Sequence, residues 1–568
     1  MFTGAVIQER RHTQIGTITE SLNAINRRGA NMSTERISER PELVIALVGP
    51  VGVPLGELSD TLKDYLKSGF HYDVSIIKLS ELLEKNFLDL EPQPQSDIPA
   101  AYTRITHLQK GGNDFRKKLD DGAALAIAGI AAIREERRKI THNPDMPASS
   151  HAYILHQLKH PREVELLRRV YGPSFIMIAG HRIRSLRQEK LAKDIARSTS
   201  NPSQTNKWNE KADDIIEKDA KDDDELGQNT RDTYPLADYF ADYNFGNVRD
   251  GLVRFIELLF GHPFHTPYAE EHAMYQARAV ALRSSDDGRQ VGAVIAKIRP
   301  PVAALSADSG DQPLRIRDLD IVASGMNEVP RAGGTSYMYP DSHDYRDQYL
   351  VHKLGEDRAK EIKVGVLLEL IRKIEGKNWL KETGRDPKEL ADELVRDLKG
   401  TQFMDIGEFM RPVHAEMAAL IDSARRGVAV DGLSMYVTSF PCHNCAKHII
   451  AAGIKRVIYL EPYPKSRATH LHKEEIDEEA KNVAIGNKVA FLPFSGIAPR
   501  QYEKVFSMSA RGEKYGLSLK NWEASKSSLS PRYVMQNASA SYLLAERQEL
   551  KRLPQEVYKW DKKTICPD

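Results

Sequence analysis

The stretch GLSMYVTSFPCHNCAKHIIAAGIKRVIYLEP, Gly432–Pro462, predicts a strand, a helix and a second strand in succession. The segments GLSMYVTSF and KRVIYLEP are short runs in which branched and aromatic residues are frequent, as in strands. The segment CHNCAKHIIAAG between them has the pattern of a helix that ends at a glycine. Strand, helix and strand in this order indicate an α/β fold.

Similar segments lie on both sides of this unit. The predicted helix VHAEMAALIDSARRG (Val413–Gly427) precedes it, and the predicted strand KVAFLPF (Lys488–Phe494) follows it. Two more predicted strands lie upstream, QVGAVIAKI (Gln290–Ile298) and DIVASGMN (Asp320–Asn327). The order β-β-α-β-α-β predicts an α/β/α sandwich in the second half of the chain.

The first half of the chain also alternates between strands and helices. Apolar runs at Leu43–Val48, Val74–Leu83, Ala152–Leu158 and Pro173–Gly180 are separated by helical patterns. This alternation predicts an α/β domain with a mostly parallel sheet.

The composition changes along the chain and predicts its division into domains. Residues 1–40 are polar and unpatterned and predict a tail, 41–250 predict a first domain, and 251–568 predict a second. A charged helical region at about 342–400 predicts an insertion in the second domain. The segment 187–232 is charged and poor in large apolar residues, which predicts a mobile, solvated lid or linker.

The overall composition is typical of a globular protein with more than one domain. The 568 residues are 41% hydrophobic and 28% charged, and the net charge of +1 gives no reason to expect a long nucleic-acid track. Three cysteines cannot form a disulfide framework, which favours a cytoplasmic location. No apolar run approaches the roughly 18 residues of a membrane-spanning helix, and MFTGAVIQERRHTQIG lacks the apolar region of a secretory signal. We therefore expect neither a membrane partner nor secretion.

Two of the three cysteines, Cys442 and Cys445, lie three residues apart at the start of a predicted helix. At this spacing both thiols lie on one face of the helix, where the positive end of the helix dipole favours thiolates. The pair alone fits a redox motif, half of a structural zinc site, or two small buried residues.

His414 and Glu416 upstream favour one of these alternatives. One histidine and two cysteines make three zinc ligands, whereas a structural site is normally closed by four. The open position would hold a water whose pKa falls to about 7 on zinc. Glu416, two residues from a ligand, is then a candidate proton shuttle.

The pattern H-A-E-x24-P-C-x-x-C from His414 to Cys445 resembles the zinc-dependent cytidine and deoxycytidylate deaminase superfamily. The resemblance implies a cytidine-deaminase-like α/β/α sandwich that holds Zn²⁺ and replaces the amino group at C4 of a cytosine ring. His414, Cys442 and Cys445 would be the metal ligands and Glu416 the catalytic residue.

Three further segments resemble deoxycytidylate deaminases: RSSDDGRQVGAVI (283–295), SGMNEVPRAGG (324–334) and EPYPKSRATHLH (461–472). Each also has a plain structural interpretation, namely a turn, a strand end and a basic surface loop. The resemblance implies the substrate-binding residues Arg289, Ser324, Asn327, Lys465, Ser466 and Arg467.

The loop GPVGVPLGEL after the first strand invites comparison with the phosphate-binding loop G-x-x-x-x-G-K-[ST]. Aligned on Gly49, the second glycine is Pro54, the lysine is Leu55 and the hydroxyl residue is Gly56. The first domain therefore resembles a P-loop kinase with a degenerate loop, in which Gly49, Gly52 and Gly56 are the candidate nucleotide-binding residues. Leu55 disfavours a nucleotide kinase, because the charge that contacts the phosphates is missing.

A degenerate P-loop domain followed by a deoxycytidylate deaminase domain resembles the bacterial antiphage dCTP/dCMP deaminases. The resemblance implies deoxycytidine nucleotides as substrates, depletion of these nucleotides during phage infection, and a homo-oligomer. It also implies a small inhibitory noncoding RNA as a possible partner, and a first domain that regulates, senses or assembles.

Two other functions fit the sequence. The first is a nucleic-acid editor acting on cytosine or adenosine, which would share the zinc motif. The second is a regulatory protein without catalysis, whose first domain binds RNA or a nucleotide and whose zinc is structural.

Overall fold

The computed structural model describes most of the chain, and all statements below concern this part. The described residues are 40–86, 98–199, 201–222, 224–244, 248–298, 319–338, 344–377, 385–399, 401, 403, 407–463, 465–479, 488–507, 518–531 and 539–553. The predicted tail 1–40 thus lies almost entirely outside the described residues.

Two sheets, each of six strands among the described residues, form the framework of the molecule. The strands are β1 Leu43–Val48, β2 Asp73–Lys78, β3 His151–Leu158, β4 Phe175–His181, β5 Tyr239–Asp242, β6 Gly292–Ile298, β7 Leu319–Met326, β8 Ser434–Ser439, β9 Arg456–Glu461, β10 Ile476–Asp477, β11 Val489–Pro493 and β12 Gly496–Ile497.

Helices pack on the faces of both sheets. They are α1 Leu55–Phe70, α2 Leu79–Asn86, α3 Ala100–Leu119, α4 Ala124–Thr141, α5 Pro161–Tyr171, α6 Arg184–Arg197, α7 Asn209–Ala220, α8 Thr230–Thr233, α9 Val248–Leu259, α10 Ala269–Ala281, α11 Asp347–Tyr349, α12 Arg358–Glu375, α13 Pro387–Asp397, α14 Ala415–Arg425, α15 His443–Ala451, α16 Ala468–Leu471, α17 Pro499–Phe506, α18 Leu519–Ser525 and α19 Ser539–Leu550.

The first sheet has the strand order β12-β5-β4-β1-β3-β2. Strands β1 to β5 are parallel, as the alternation of strands and helices predicts, and β12 is antiparallel to β5. Strand β1 is buried at all six positions, because helices cover both faces of a parallel sheet. The predicted mostly parallel α/β architecture is confirmed, whereas its P-loop kinase assignment stays a prediction.

The second sheet has the order β10-β11-β9-β8-β6-β7. Strands β8 to β11 pair in parallel, and β6 and β7 are antiparallel to their neighbours. Helix α15 connects β8 to the parallel strand β9, which confirms the βαβ unit predicted for Gly432–Pro462. The observed elements are those of the predicted mixed α/β layer structure.

The prediction of a mobile, solvated segment at 187–232 is wrong. Helices α6 and α7 lie in this segment, and they enclose a small core of buried apolar residues, among them Leu191, Ile195, Ile215 and Ile216. The many charged residues between them conceal this spacing, since a helix needs only a few apolar positions per two turns to pack. In the predicted insertion at 342–400, helices α12 and α13 likewise share a core around Leu367 and Ile371.

The C-terminal part of the chain returns to the first domain. Strand β12 extends the first sheet, and helix α19 contacts α4 and α5. The predicted division at residue 250 places these elements in the second domain, so the structure adds a contribution that the division omits. Among the described helices, none is both long and apolar enough to span a membrane.

A buried ionic network fastens α19 to the first domain. Glu546, which is fully buried, accepts hydrogen bonds from Arg137 at 2.8 and 2.9 Å, from Arg134 at 3.3 Å and from the Tyr171 hydroxyl at 2.9 Å. Arg137 also donates to Glu42, just before β1, at 2.9 and 3.0 Å. Residues almost 500 positions apart in sequence thus neutralise one another inside the protein.

We expect Glu546→Gln to destabilise the chain by about 3–5 kcal/mol, because it leaves two buried guanidiniums without one of their carboxylates. Urea unfolding of the full chain measures this effect. The matched control is Glu549→Gln on the same helix, whose partners Arg169 and Arg552 are 64% and 44% exposed, so that a loss below about 1 kcal/mol is expected. Equal losses in the two variants would contradict the assignment.

Candidate metal centre

His414 lies at the N-cap of α14, where the helix meets strand β7. Gly325 of β7 permits this contact, because a Cβ on Gly325 would lie 2.4 Å from the Ala415 oxygen and 2.3 Å from the Ala419 nitrogen. Any larger side chain at this position would push the first turns of α14 away from the sheet. The close approach therefore sets the position of both His414 and Glu416.

Cys442 and Cys445 lie at the start of α15, which follows β8. Cys442 is the N-cap residue, and its sulfur accepts a hydrogen bond from the Cys445 backbone nitrogen at 3.5 Å. The Phe440 nitrogen donates to the Glu461 oxygen at 2.7 Å, which fixes the turn before the cysteines to the end of β9. The two cysteines are therefore held by the predicted βαβ unit.

The two helix starts bring the three predicted ligands together. His414 Nδ1 lies 3.3 Å from Cys442 Sγ and 3.4 Å from Cys445 Sγ. All three candidate ligand atoms lie within 4.8 Å of one another. Cys445 is buried, whereas His414 and Cys442 are partly exposed, so the group opens toward solvent on one side.

The protons of this group are strongly shared. The hydrogen bond with Cys445 lowers the pKa of Cys442 to about 4, with His414 as a further cause. The same hydrogen bond raises the pKa of Cys445 well above its usual value. The hydrogen bond with Cys442 raises the pKa of His414 to about 8. A group with one thiolate and displaceable protons is what metal binding requires, since the ligands must be deprotonated.

The donor set fits a zinc ion. Zinc prefers four ligands in a tetrahedron, with Zn–S near 2.3 Å and Zn–N near 2.0–2.1 Å, so its nitrogen and sulfur ligands lie about 3.6 Å apart. The two observed nitrogen–sulfur distances are close to this value. Among the described residues, the group comprises three protein ligands, and a fourth position remains for a small molecule.

Glu416 is buried beside the three ligands, on the first turn of α14. Burial raises the pKa of its carboxyl, and a hydrogen bond connects the carboxyl to Cys445. A buried carboxyl with a raised pKa is suited to accept and release a proton near neutral pH.

The predicted substrate residues Arg289 and Asn327 lie around the turn that precedes the cysteines. Arg289 donates to the Ser439 hydroxyl at 3.0 Å and lies 3.7 Å from the Glu461 carboxylate. The side chain of Asn327 donates to the Arg289 oxygen at 2.8 Å and accepts from the Val291 nitrogen at 2.7 Å. The Asn327 amide thus holds the loop that carries Arg289.

The other predicted substrate residues are placed differently. The Ser466 hydroxyl donates to the Pro441 oxygen at 2.7 Å, so Ser466 lies directly against the cysteine turn. Lys465 and Arg467 on either side of it are exposed. Ser324 lies within β7, and its nitrogen donates to Asp422 of α14 at 3.2 Å. Binding of substrate by these residues stays a prediction.

Glu328, which the sequence analysis missed, is a further buried acid near this loop. Its carboxylate accepts from the Ser285 nitrogen at 2.8 Å and from the Ser285 hydroxyl at 2.7 Å. Glu328 therefore fixes the start of the loop that leads to Arg289. The only signal for this role in the sequence is its position directly after Asn327 in SGMNEVPRAGG.

The loop after β1 is occupied by contacts within the protein. The Val51 nitrogen donates to the Asp219 carboxylate at 2.7 Å, and Lys159 pairs with the same carboxylate at 2.6 Å. Leu55, where a P-loop has lysine, is buried in the core. Gly52 has a positive φ of 91° and lies against Arg187, whereas Gly49 accepts side-chain hydrogen bonds and Gly56 is exposed. Nucleotide binding by these glycines stays a prediction.

A second group of metal-binding side chains, Glu257, His262 and His265, has a structural explanation. The Nδ1 atom of His262 accepts hydrogen bonds from two backbone nitrogens, those of Phe264 and His265. Glu257 pairs with Lys526 at 3.0 Å and with His265 at 2.6 Å. Because a lysine already neutralises this carboxylate, we interpret the group as an attachment of α18 and the turn that follows it.

Residues 316–461 match the family model of the cytidine and deoxycytidylate deaminase zinc-binding region. This range includes His414, Glu416, Cys442 and Cys445. About a quarter of the chain thus corresponds to a zinc-binding deaminase region, and it is the part that holds the three-ligand group.

Relatives with curated names match over short stretches. The chain is 46% identical to ComE operon protein 2 of Bacillus subtilis over 70 residues, which are 12% of this chain and 35% of that protein. It is 46% identical to the deoxycytidylate deaminase of Enterobacteria phage T4 over 55 residues, 10% of this chain and 28% of that protein. It is 47% identical to the deoxycytidylate deaminase of Mus musculus over 92 residues, 16% and 44%. The chain thus spans less than half the length of each of these relatives.

A solved structure also aligns with this chain. The crystal structure of dCMP deaminase from the cyanophage S-TIM5, in complex with dCMP and dUMP, is 15% identical and covers 40% of this chain and 98% of that chain. The TM-score is 0.19.

We expect Gly325→Ala to destabilise the chain by about 3 kcal/mol or more, because the added methyl group would overlap the backbone of α14. It should also displace His414, so that the metal content of the purified protein falls. Thermal unfolding and elemental analysis measure the two effects. The control is Gly365→Ala in α12, where nothing lies within 4 Å of the added carbon, and a gain of about 0.5–1 kcal/mol is expected. A stable Gly325→Ala variant with full metal content would contradict the close approach.

Proposed function

We propose that the second domain is a zinc-dependent deaminase that converts deoxycytidine nucleotides, dCMP and dCTP, to the corresponding uracil nucleotides and ammonia. The observation that carries the proposal is the buried carboxyl of Glu416 beside a group of three zinc-type ligands. The match of residues 316–461 to the deaminase zinc-binding region supports the same chemistry.

Each of the four residues has a distinct role in this proposal. His414, Cys442 and Cys445 would hold the zinc. When bound, zinc supplies a water whose pKa is near neutral. Glu416 takes the proton of this water and delivers it to the cytosine ring and to the departing ammonia. The burial of Glu416 serves this role, because it keeps the carboxyl near the pKa at which it exchanges protons.

The substrate would enter on the side where His414 and Cys442 are exposed. Asn327 orients the loop that carries Arg289, and Arg289 lies near the same turn as the cysteines. With Lys465 and Arg467 exposed on either side of Ser466, basic side chains lie where a nucleotide phosphate could pair with them. The relatives named deoxycytidylate deaminases favour the monophosphate, and the resemblance in domain combination favours dCTP.

The wider role is proposed from the combination of domains. A deaminase domain attached to a P-loop-like domain supports depletion of deoxycytidine nucleotides during phage infection. A homo-oligomer, an inhibitory small noncoding RNA and a cytoplasmic location belong to the same proposal.

The purified chain should contain about one zinc ion per molecule, and Cys442→Ala should remove most of it, because two remaining protein ligands hold zinc weakly. Elemental analysis after dialysis measures the content. Cys566→Ala, at the third cysteine of the chain, is the matched control and should retain zinc. Zinc that remains bound in Cys442→Ala would contradict the assigned ligands.

Glu416→Gln should retain zinc and lose at least about 100-fold in the rate of ammonia release, because the proton shuttle is removed. The rate is measured with dCMP, dCTP, cytidine and a cytosine-containing oligonucleotide. The control Glu408→Gln changes an exposed glutamate upstream of the same helix and should keep full activity. Turnover of the oligonucleotide alone would favour a nucleic-acid editor, and no turnover of any substrate by the parent chain would favour a structural zinc.

A further inference from the structure

A cavity between the two sheets lies outside the zinc-type group. Its volume is about 200 Å³. On one side it meets the carboxyl ends of β1 and β4, at Pro50 and His181, and on the other the ends of β9 and β11, at Tyr459 and Pro493. Ligands of open parallel sheets bind outside the carboxyl ends of the strands, where the chain crosses from one side of β1 to the other.

Three polar side chains of this cavity have no hydrogen-bond partner among the described residues. The atoms are His181 Nε2, Thr230 Oγ1 and the Tyr234 hydroxyl. Thr230 and Tyr234 are only 1% and 8% exposed. A buried polar group without a partner costs about 1–3 kcal/mol. Three such groups around one cavity indicate a site that is built to bind a polar molecule.

All three groups are neutral near pH 7. Burial lowers the pKa of His181 to about 3, and burial raises the pKa of Tyr234 well above its usual value. Neutral donors and acceptors pair with the edge of an uncharged ring more readily than with an ion.

A positive charge lies at the same cavity. Arg187 lines it, and the printed hydrogen bonds of its guanidinium go to backbone oxygens, those of Arg182 at 3.0 Å and Val51 at 3.4 Å. Asp219, the nearby carboxylate, is shared by Lys159 and the Val51 nitrogen. Arg231 adds a second guanidinium. The cavity thus has more positive than negative charge, which favours an anion.

The remaining walls are flat and apolar. Pro50, Pro462 and Pro493 present their rings to the cavity lining, together with Tyr459. Apolar walls with a few convergent polar groups are typical of small-molecule sites, and flat walls favour a planar ring.

We propose that this interdomain cavity binds a mononucleotide, with the base between the proline and tyrosine walls and the phosphate at Arg187 and Arg231. His181, Thr230 and Tyr234 pair with the edge of the base. The site is separate from the amides of the degenerate loop, because the Val51 nitrogen already donates to Asp219. It does not depend on the proposed deaminase activity.

The cavity lies close to the zinc-type group through one strand. Tyr459 and Leu460 of β9 line the cavity, and the next residue, Glu461, accepts the hydrogen bond from Phe440. Phe440 is two residues before Cys442. A nucleotide in the cavity would thus contact the strand that fixes the cysteine turn.

The test uses the full chain with Glu416→Gln, which is expected to stop turnover without removing zinc. Isothermal titration calorimetry is carried out with dCMP, dUMP, dTMP, dAMP and dGMP. We expect at least one of these nucleotides to occupy two classes of site per chain. Adding Tyr234→Phe and Thr230→Val should weaken one class roughly 10-fold, because two hydrogen bonds of about 0.5–1.5 kcal/mol each are lost. The other class should not change.

Two controls separate the proposal from its alternatives. Tyr72→Phe removes a buried hydroxyl that bonds the Pro41 oxygen away from the cavity, and it should leave both classes unchanged. Inorganic phosphate should bind far more weakly than the nucleotide. A single class of site in every titration, no response to the double substitution, or equal affinity for phosphate alone would each overturn the proposal. Ammonia release by the parent chain reports separately on the deaminase proposal.

Discussion

The close approach of α14 to β7 at Gly325 is the constraint on which the candidate metal centre depends. Backbone atoms of Ala415 and Ala419 occupy the space that a side chain would need at this position. The contact brings His414 within 3.3–3.4 Å of two sulfurs that a different helix supplies. The metal-binding geometry is therefore decided by helix-to-sheet packing, and the short ligand spacing in the sequence supplies only half of it.

Much of this arrangement could be predicted from the sequence. The βαβ unit around Cys442 and Cys445 has strong local signals, namely branched strands on both sides of a helix that ends at a glycine. The pairing of the cysteines with His414 could be predicted because few residue types bind zinc, and their spacing limits the partners. Local patterns therefore predicted both the strand order β6 to β9 along the chain and the membership of the three-ligand group.

Other features depend on contacts between distant residues, which local patterns do not contain. The role of Glu328 arises only when the loop at Ser285 folds back onto it. The cores of α6 and α7 were missed because Leu191 and Ile215 are separated by many charged residues. The amide of Asn327, predicted to contact substrate, is used in hydrogen bonds that hold the Arg289 loop. Residue type indicated the region of the site, and tertiary contacts determined the task of each side chain.

The return of the C-terminal segment to the first domain has a consequence for synthesis on the ribosome. Strand β12 and the carboxylate of Glu546 are needed to complete the first sheet and its buried charges, yet they are made after the whole zinc-binding region. Until then Arg134 and Arg137 lack one of their partners, so the nascent first domain is unfinished while the second already has all its strands. The order of completion is therefore the reverse of the order of synthesis, and the last residues to emerge determine when the first domain becomes stable.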